Sequence, residues 1–179
     1  MEYPGKELEN FDKAKIWRNY IYFEIKKFIR GKVLEVGAGI GSFTENYMHL
    51  PEKLTLSEID NSNLKIIKDK FENQDINFTN KTTKQLEDKF DTIMYLNVLE
   101  HIENDEDEIL NAFNKLNKNG FLIILVPAHN NLYSKFDKAI GHIKRYDIDF
   151  FENFSVKNSK LKKLMFLDAM GYFLYYLNK

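Results

Sequence analysis

Three glycines separated by single residues, Gly37-Ala-Gly39-Ile-Gly41, follow directly on the run Val33-Leu34-Glu35-Val36. No other stretch constrains the chain as tightly. Val33, Leu34 and Val36 predict a short buried parallel strand, and a helix is expected to open near Ser42. Glycine is used where the backbone turns with positive φ or where a ligand lies against the main chain. A strand, a glycine turn and a helix N-terminus together present unpaired N–H groups and a positive dipole end to a ligand. The stretch Lys32–Thr44 therefore predicts a nucleotide-like cofactor lying along the backbone.

Spacing narrows the choice. A dinucleotide fingerprint, G-x-G-x-x-G, requires glycine at position 42, and this chain has Ser42 there. A second anchor lies in Leu54-Thr-Leu-Ser-Glu58-Ile59, expected as the second strand with Glu58 at its C-terminal end. In open α/β sheets that end faces the ligand, and a carboxylate about twenty residues after the first glycine grips ribose hydroxyls. A carboxylate suits a diol because it accepts a hydrogen bond from each hydroxyl.

The rest of the chain alternates strand and helix patterns, which argues for a single domain, residues 1–179, on a mostly parallel sheet. Apolar residues from Glu7 to Arg30 recur near helical spacing, giving an N-terminal cover helix within residues 1–30 and ending at Gly31. Asn19 and Tyr20, at its middle, are within reach of a cofactor, but Trp17 and Tyr20 are expected instead to pack on the sheet. Phe43–Leu50 is read as a helix stopped by Pro51, Asp60 or Asn61 as the cap of a helix over Leu64–Phe71, and Ile76–Thr79 as strand three. Phe90–Leu96 is strand four. Asn104 and the acidic run Glu103–Glu108 start an amphipathic helix to Asn117. Carboxylates in a first turn complement the helix dipole, so the acidic run calls for no metal. Phe121–Val126 is an all-apolar strand of the buried parallel type, Ile148–Phe154 a short helix, and Leu161–Leu167 strand six. The aromatic ending, Asp168–Lys179, is expected to pack over the active site or in a dimer.

Two polar segments follow strand ends. Asn97-Val98-Leu-Glu-His101-Ile102 leaves strand four, and the long loop 128–147 leaves strand five. That loop concentrates Tyr133, Asp137, His142, Arg145 and Tyr146, more polar and aromatic groups than a bare connection needs. His101 is open to two readings, catalyst or packed residue. The loop is open to two as well: a substrate-binding element, or a self-packed loop in which Arg145 pairs with Asp137.

Glu35-x-Gly37-x-Gly39-x-Gly41, Glu58, the run Asn97–Ile102 and the segment Gly141-His142-Ile-Lys-Arg145-Tyr146 fall in the order seen in class I S-adenosylmethionine (SAM)-dependent methyltransferases. The chain resembles that family, in particular a small-molecule branch with a Gly-His-x-x-Arg-Tyr loop. The resemblance implies a Rossmann-like α/β fold with helices on both faces, although no seventh, antiparallel strand can be found. It implies SAM as cofactor and S-adenosylhomocysteine as product. Cofactor contacts are implied for Glu35, Gly37, Ala38, Gly39, Gly41, Glu58, Ile59, Asn97 and Val98. Thr82 and Thr83 stand where the family usually carries an adenine-binding Asp. His101 or His142 is implied as the base that takes the acceptor's proton. Tyr133, Arg145 and Tyr146 are implied to bind the substrate, Arg145 favouring an anionic acceptor.

Composition sets the remaining limits. A net charge of −1 gives no reason to expect nucleic acid, and the absence of cysteine excludes disulfides and thiolate metal sites. No apolar run reaches membrane-spanning length and the N-terminus lacks a signal-peptide pattern, so a cytoplasmic, bacterial-type protein is expected, as monomer or homodimer. The alternatives are an NAD-dependent oxidoreductase, disfavoured by Ser42, and a non-catalytic SAM-binding or partner-binding module, kept open by Thr82.

Overall fold

A computed structural model describes residues 12–167. Its centre is a five-stranded parallel sheet in the order β3-β2-β1-β4-β5, formed by β1 (Lys32–Val36), β2 (Lys53–Ser57), β3 (Ile76–Thr79), β4 (Phe90–Leu96) and β5 (Leu116–Leu125). The order reverses between β1 and β4. That is the switch point at which open α/β sheets leave a crevice for a ligand.

The strand residues alternate between two cores, as period-two geometry requires. On one face Val33, Leu54, Leu56 and Met94 pack with Ile21 of α1 (Lys15–Ile25), Tyr47 of α2 (Thr44–Tyr47) and Ile67 of α3 (Asn61–Lys70). On the other face Leu34, Val36, Ile93 and Tyr95 pack with Ile109 and Ala112 of α4 (Asp105–Lys115) and with Tyr146. Helices cover both faces, the Rossmann-like arrangement. Two short helices complete the described residues, α5 (Lys135–Ala139) and α6 (Ile148–Asn153).

Local chemistry explains most boundaries. Asp60 caps α3, its carboxylate accepting from the N–H groups of Ser62 and Asn63 at 2.8 and 2.9 Å. Residue Asn104 occupies the N-cap of α4 but makes no side-chain cap, so the four acidic residues of the first turn carry the dipole complement. The cover helix is shorter than its apolar spacing suggests, giving way to a 3-10 turn at Lys26–Phe28, and its expected start lies outside the described residues. Trp17 packs against the core, whereas Tyr20 is exposed.

Three expectations need correction. Phe43–Leu50 is helical only over Thr44–Tyr47. Helix α4 stops at Lys115 rather than Asn117, because Leu116 already pairs with Phe90; the ladder then slips, so that Asn117–Gly120 bulge before Phe121 pairs with Thr92. Leu161–Leu167 is no strand. Its lysines separate apolar residues that remain largely exposed, Leu161 at 54%, and only Leu167 reaches the core. Strand β5 consequently has β4 as its one strand neighbour among the described residues and is half-buried despite its apolar sequence. The aromatic ending, 168–179, lies outside the described residues. No helix among those described is long and apolar enough to cross a membrane.

Candidate active site

The chain leaves β1 into the glycine turn with Gly37 at φ 66°. A Cβ on Gly37 would stand 2.7 Å from a methyl of Val98, the residue leaving β4 next door, so the close approach of these two strand ends demands glycine there. The N–H groups of Gly37 and Ala38 donate to the carbonyl of Ser57 at 2.8 and 3.1 Å, tying the turn to the end of β2. Glu58 completes the tie. Its carboxylate accepts from Gly39 N at 2.7 Å and from Asp60 N at 2.8 Å. Burial pushes the Glu58 carboxyl up from its ordinary value, against the pull of these N–H donors.

Below the turn, Glu35 is buried and accepts from the hydroxyl of Thr44 at 2.6 Å and from that of Tyr47. Burial, the largest influence, pushes its carboxyl up from 4.5 to about 7, with the two hydroxyls pulling it down and Glu58 adding to the rise. The folded protein thus holds a proton that the unfolded chain has released over this window. The contribution of Glu35 to stability is expected to be fullest below about pH 4.5, to fall as pH rises to about 7, and to level off above, by about 3 kcal/mol in total. Urea titrations at the two ends of the window measure the slope, and Glu35→Gln should reduce it. An unchanged slope in the variant would assign the pH dependence to other groups.

A cavity of about 310 Å³ opens between the glycine turn and the chain segments leaving β4 and β5. One wall, from β1 and the glycine turn, is Glu35, Gly37, Ala38, Gly39 and Ser42; another, from the segments after β4 and β5, is Asn97, Glu100, His101 and His142, and Pro127 and Ile140 also line the cavity. Asn97 holds a left-handed conformation, φ 57°, fixed by its N–H bond to the Leu125 carbonyl at 2.8 Å. The hydroxyl of Ser42 is buried with no hydrogen-bond partner among the described residues.

The loop 128–147 is held by Asp137, which is fully buried. Its carboxylate forms a capping box with Ser134, accepts from Arg145 Nε at 2.8 Å and Nη2 at 3.1 Å, and accepts from His142 Nδ1 at 3.0 Å. Burial alone would raise the Asp137 carboxyl, but the bonds from Arg145, His142 and Ser134 outweigh it and hold it down at about 2. Asp137 is therefore ionised, and the hydrogen bond it accepts selects the His142 tautomer with its proton on Nδ1 and its lone pair on Nε2. The same logic applies to His101, whose Nδ1 lies 3.0 Å from the Gly141 carbonyl, an obligatory acceptor. The two imidazoles meet edge to face with centroids 4.8 Å apart.

The structure thus brings Glu35, Gly37, Ala38, Gly39, Asn97, His101 and His142 to one cavity. Other predicted residues lie elsewhere. Gly41 and Val98 support the turn from behind, and Ile59 is exposed. Thr82 caps a short turn with Gln85, and buried Thr83 bonds the hydroxyl of Tyr95 at 2.7 Å, so neither side chain lines the cavity. The expected substrate-binding trio is internal: the Tyr133 hydroxyl donates to the His142 carbonyl, Arg145 clasps Asp137, and the Tyr146 hydroxyl donates to Asp105 and to the Leu99 carbonyl. These bonds hold the loop, and none of the three residues lines the cavity beside the glycine turn. Glu100 is the cavity residue that the sequence reading missed. It is fully buried, and a carboxylate inside the apolar run Val98-Leu99…Ile102 was the available signal.

Switch-point cavity, glycine turn and Glu58 define the class: a Rossmann-like domain built for a nucleotide-like cofactor. The chain belongs to the family described as methyltransferase domain, whose model matches residues 10–164. No curated protein matches it. Among solved structures it is similar to a SAM-dependent methyltransferase from Clostridium acetobutylicum, at 21% identity and TM-score 0.57 over 71% of this chain and 58% of that one. It is similar to the YcgJ protein from Bacillus subtilis, at 15% identity and TM-score 0.63 over 75% of this chain and 64% of that one. The N-methyltransferase NodS from Bradyrhizobium japonicum, crystallised with S-adenosylhomocysteine, shares 18% identity at TM-score 0.61, over 80% of this chain and 74% of that one. The chain spans 58–65% of the length of the first three structures it matches.

Proposed function

We propose that this chain moves the S-methyl group of SAM to an oxygen or nitrogen of a small molecule. One observation carries the reading: a single cavity has the glycine turn and Glu35 on one wall and two imidazoles on the other. The cofactor lies along the first wall. Glu58 keeps acceptor capacity beyond its two N–H bonds, since each carboxylate oxygen has two lone pairs, and this serves the ribose diol. The Ser42 hydroxyl is free to bond the amino-acid end, and Glu35 lines the same cavity as an acceptor for its ammonium group. The acceptor sits at the histidine wall, with residues 128–147 as the acceptor-side element of one domain.

Methyl transfer is an in-line displacement. The acceptor's lone pair forms the new bond to carbon, the C–S bond breaks, and its electron pair returns to sulfur as a neutral thioether. The sulfonium is already a strong electrophile, so the protein's share is orientation, exclusion of water and removal of the acceptor's proton. The histidine wall performs the last task. His142 is the better base of the two, because the ionised Asp137 at its Nδ1 stabilises an imidazolium.

The test is calorimetric titration of S-adenosylhomocysteine into wild type and Glu58→Ala. The wild type is expected to bind in the micromolar range, and the variant to lose about 1–3 kcal/mol, the worth of hydrogen bonds to a charged group. A folded wild type that binds NAD but not S-adenosylhomocysteine would restore the oxidoreductase reading.

A further inference from the structure

Glu100 presents a physical problem. Its side chain is fully buried, and neither carboxylate oxygen has a hydrogen-bond partner among the described residues. A buried polar group in that condition costs free energy, and a native structure retains one only for a reason such as an ion that completes it. The atom nearest to supplying an answer is His142 Nε2, 3.8 Å from Oε1. One donor atom from each of Glu100, His101 and His142 lies within 4.8 Å of the other two.

We propose that Glu100, His101 and His142 form a site for a divalent transition cation at the acceptor end of the cavity. Two independent features of the cluster support it. The first is the orphaned carboxylate, aimed at the imidazoles. The second is the outer layer: a metal-bound imidazole almost always donates its other N–H to a carboxylate or a backbone carbonyl, which fixes the tautomer that leaves a lone pair for the metal. Here both histidines are so arranged, His142 through Asp137 and His101 through the Gly141 carbonyl. Ligand atoms about 2.1 Å from a tetrahedral ion stand about 3.4 Å apart, so loading requires inward shifts of order 1 Å. Two imidazoles and one carboxylate form a donor set suited to zinc and its first-row neighbours, and three protein ligands leave a position open for a reactant. All three residues line the cavity.

The inference rests on the proposed function for what the cation does, and it changes the agent of proton removal. An acceptor hydroxyl entering the open position forms a bond from oxygen to the cation and loses its proton to water, because coordination lowers the hydroxyl's pKa. The oxygen then attacks the methyl carbon as the C–S bond breaks. The imidazoles act as ligands in the loaded protein.

The experiment uses Zn²⁺ and Co²⁺ alone, titrated into the full chain after exhaustive dialysis against EDTA, by calorimetry and by visible absorption. One equivalent of either ion is expected to bind, with Co²⁺ giving the d–d bands of a low-symmetry site. Glu100→Gln, a shape-preserving change, and His101→Ala should each weaken binding at least tenfold. Asp137→Asn should weaken it by about 10–100-fold through the orientation of His142 alone. Variants at the two remaining histidines, His49→Ala and His129→Ala, should leave the stoichiometry unchanged. Circular dichroism checks that each variant is folded. Absence of stoichiometric uptake by the wild type overturns the site, and so does uptake that survives Glu100→Gln and His101→Ala together. S-adenosylhomocysteine titrated into the same samples separates the two readings: cofactor binding without cation uptake sinks the cation site alone, and its loss in the wild type sinks the methyltransferase reading.

Discussion

Asp137→Ala is expected to lower the stability of the fold by about 3–5 kcal/mol, the usual cost of removing one partner of a buried ion pair. The carboxylate sits at the convergence of three elements. It closes the capping box of α5, neutralises Arg145, and orients His142. Both side chains of the pair are secluded, at 1% and 11% exposure, so water replaces little of what is lost. Alanine leaves the guanidinium without this counter-charge in a poorly solvated setting. For a domain of this size the midpoint of thermal unfolding should drop by roughly 6–20 °C. Asp137→Asn should lose less, since an amide oxygen still accepts from Ser134 or Arg145. The depressed pKa supplies a second readout. Its contribution is fully present above the unfolded value of 3.8 and disappears as pH falls towards about 2, so the gap between wild type and Asp137→Ala should close in acid. A variant that melts within about 2 °C of wild type would mean that the loop 128–147 is held by its aromatic contacts and not by this pair.

How far the sequence foretold this architecture depends on where the determining forces are local. Strand β4 is legible to the residue as Phe90–Leu96, and the glycine turn as Gly37–Gly41, because an apolar run and a positive-φ requirement are properties of the stretch itself. Asp60 as a cap is equally local. Leu161–Leu167 shows the opposite case. Apolar residues at strand-like spacing become a strand only beside a partner with free backbone groups, and pairing is a property of the whole sheet. The site divides in the same way. Gly37, Gly39, Asn97, His101 and His142 were legible from motif order, since the topology of a parallel sheet carries strand ends to one edge. Tyr133, Arg145 and Tyr146 have the chemistry of substrate ligands, but their partners, Asp137 and Asp105 among them, come from folding the loop onto itself and onto α4. Glu100 escaped for a related reason. Beside His101 in the chain it reads as an ordinary surface acid, and only a 3-10 turn at Leu99–His101 carries it inward.

Turnover by His142→Ala is expected to fall by about 10²–10⁴-fold at saturating acceptor, the range over which a positioned proton acceptor contributes. S-adenosylhomocysteine release over a panel of hydroxyl- and amine-bearing small molecules measures it. The affinity for S-adenosylhomocysteine itself should change little, because His142 belongs to the loop after β5 and not to the glycine turn. Direct proton abstraction and a held cation both predict the loss, and they part in their dependence on added metal. If His142 takes the proton directly, EDTA-treated wild type keeps its rate. If His142 is a ligand, EDTA removes the rate from wild type, Zn²⁺ or Co²⁺ restores it, and His142→Ala stays slow with either ion present. His101→Ala sharpens the distinction. A neighbour that merely packs edge to face against the base should cost far less than the base itself, whereas a fellow ligand should cost about as much. Full turnover in both alanine variants would remove proton handling from the histidine wall. The cavity would then be left with orientation and exclusion of water as its means of catalysis.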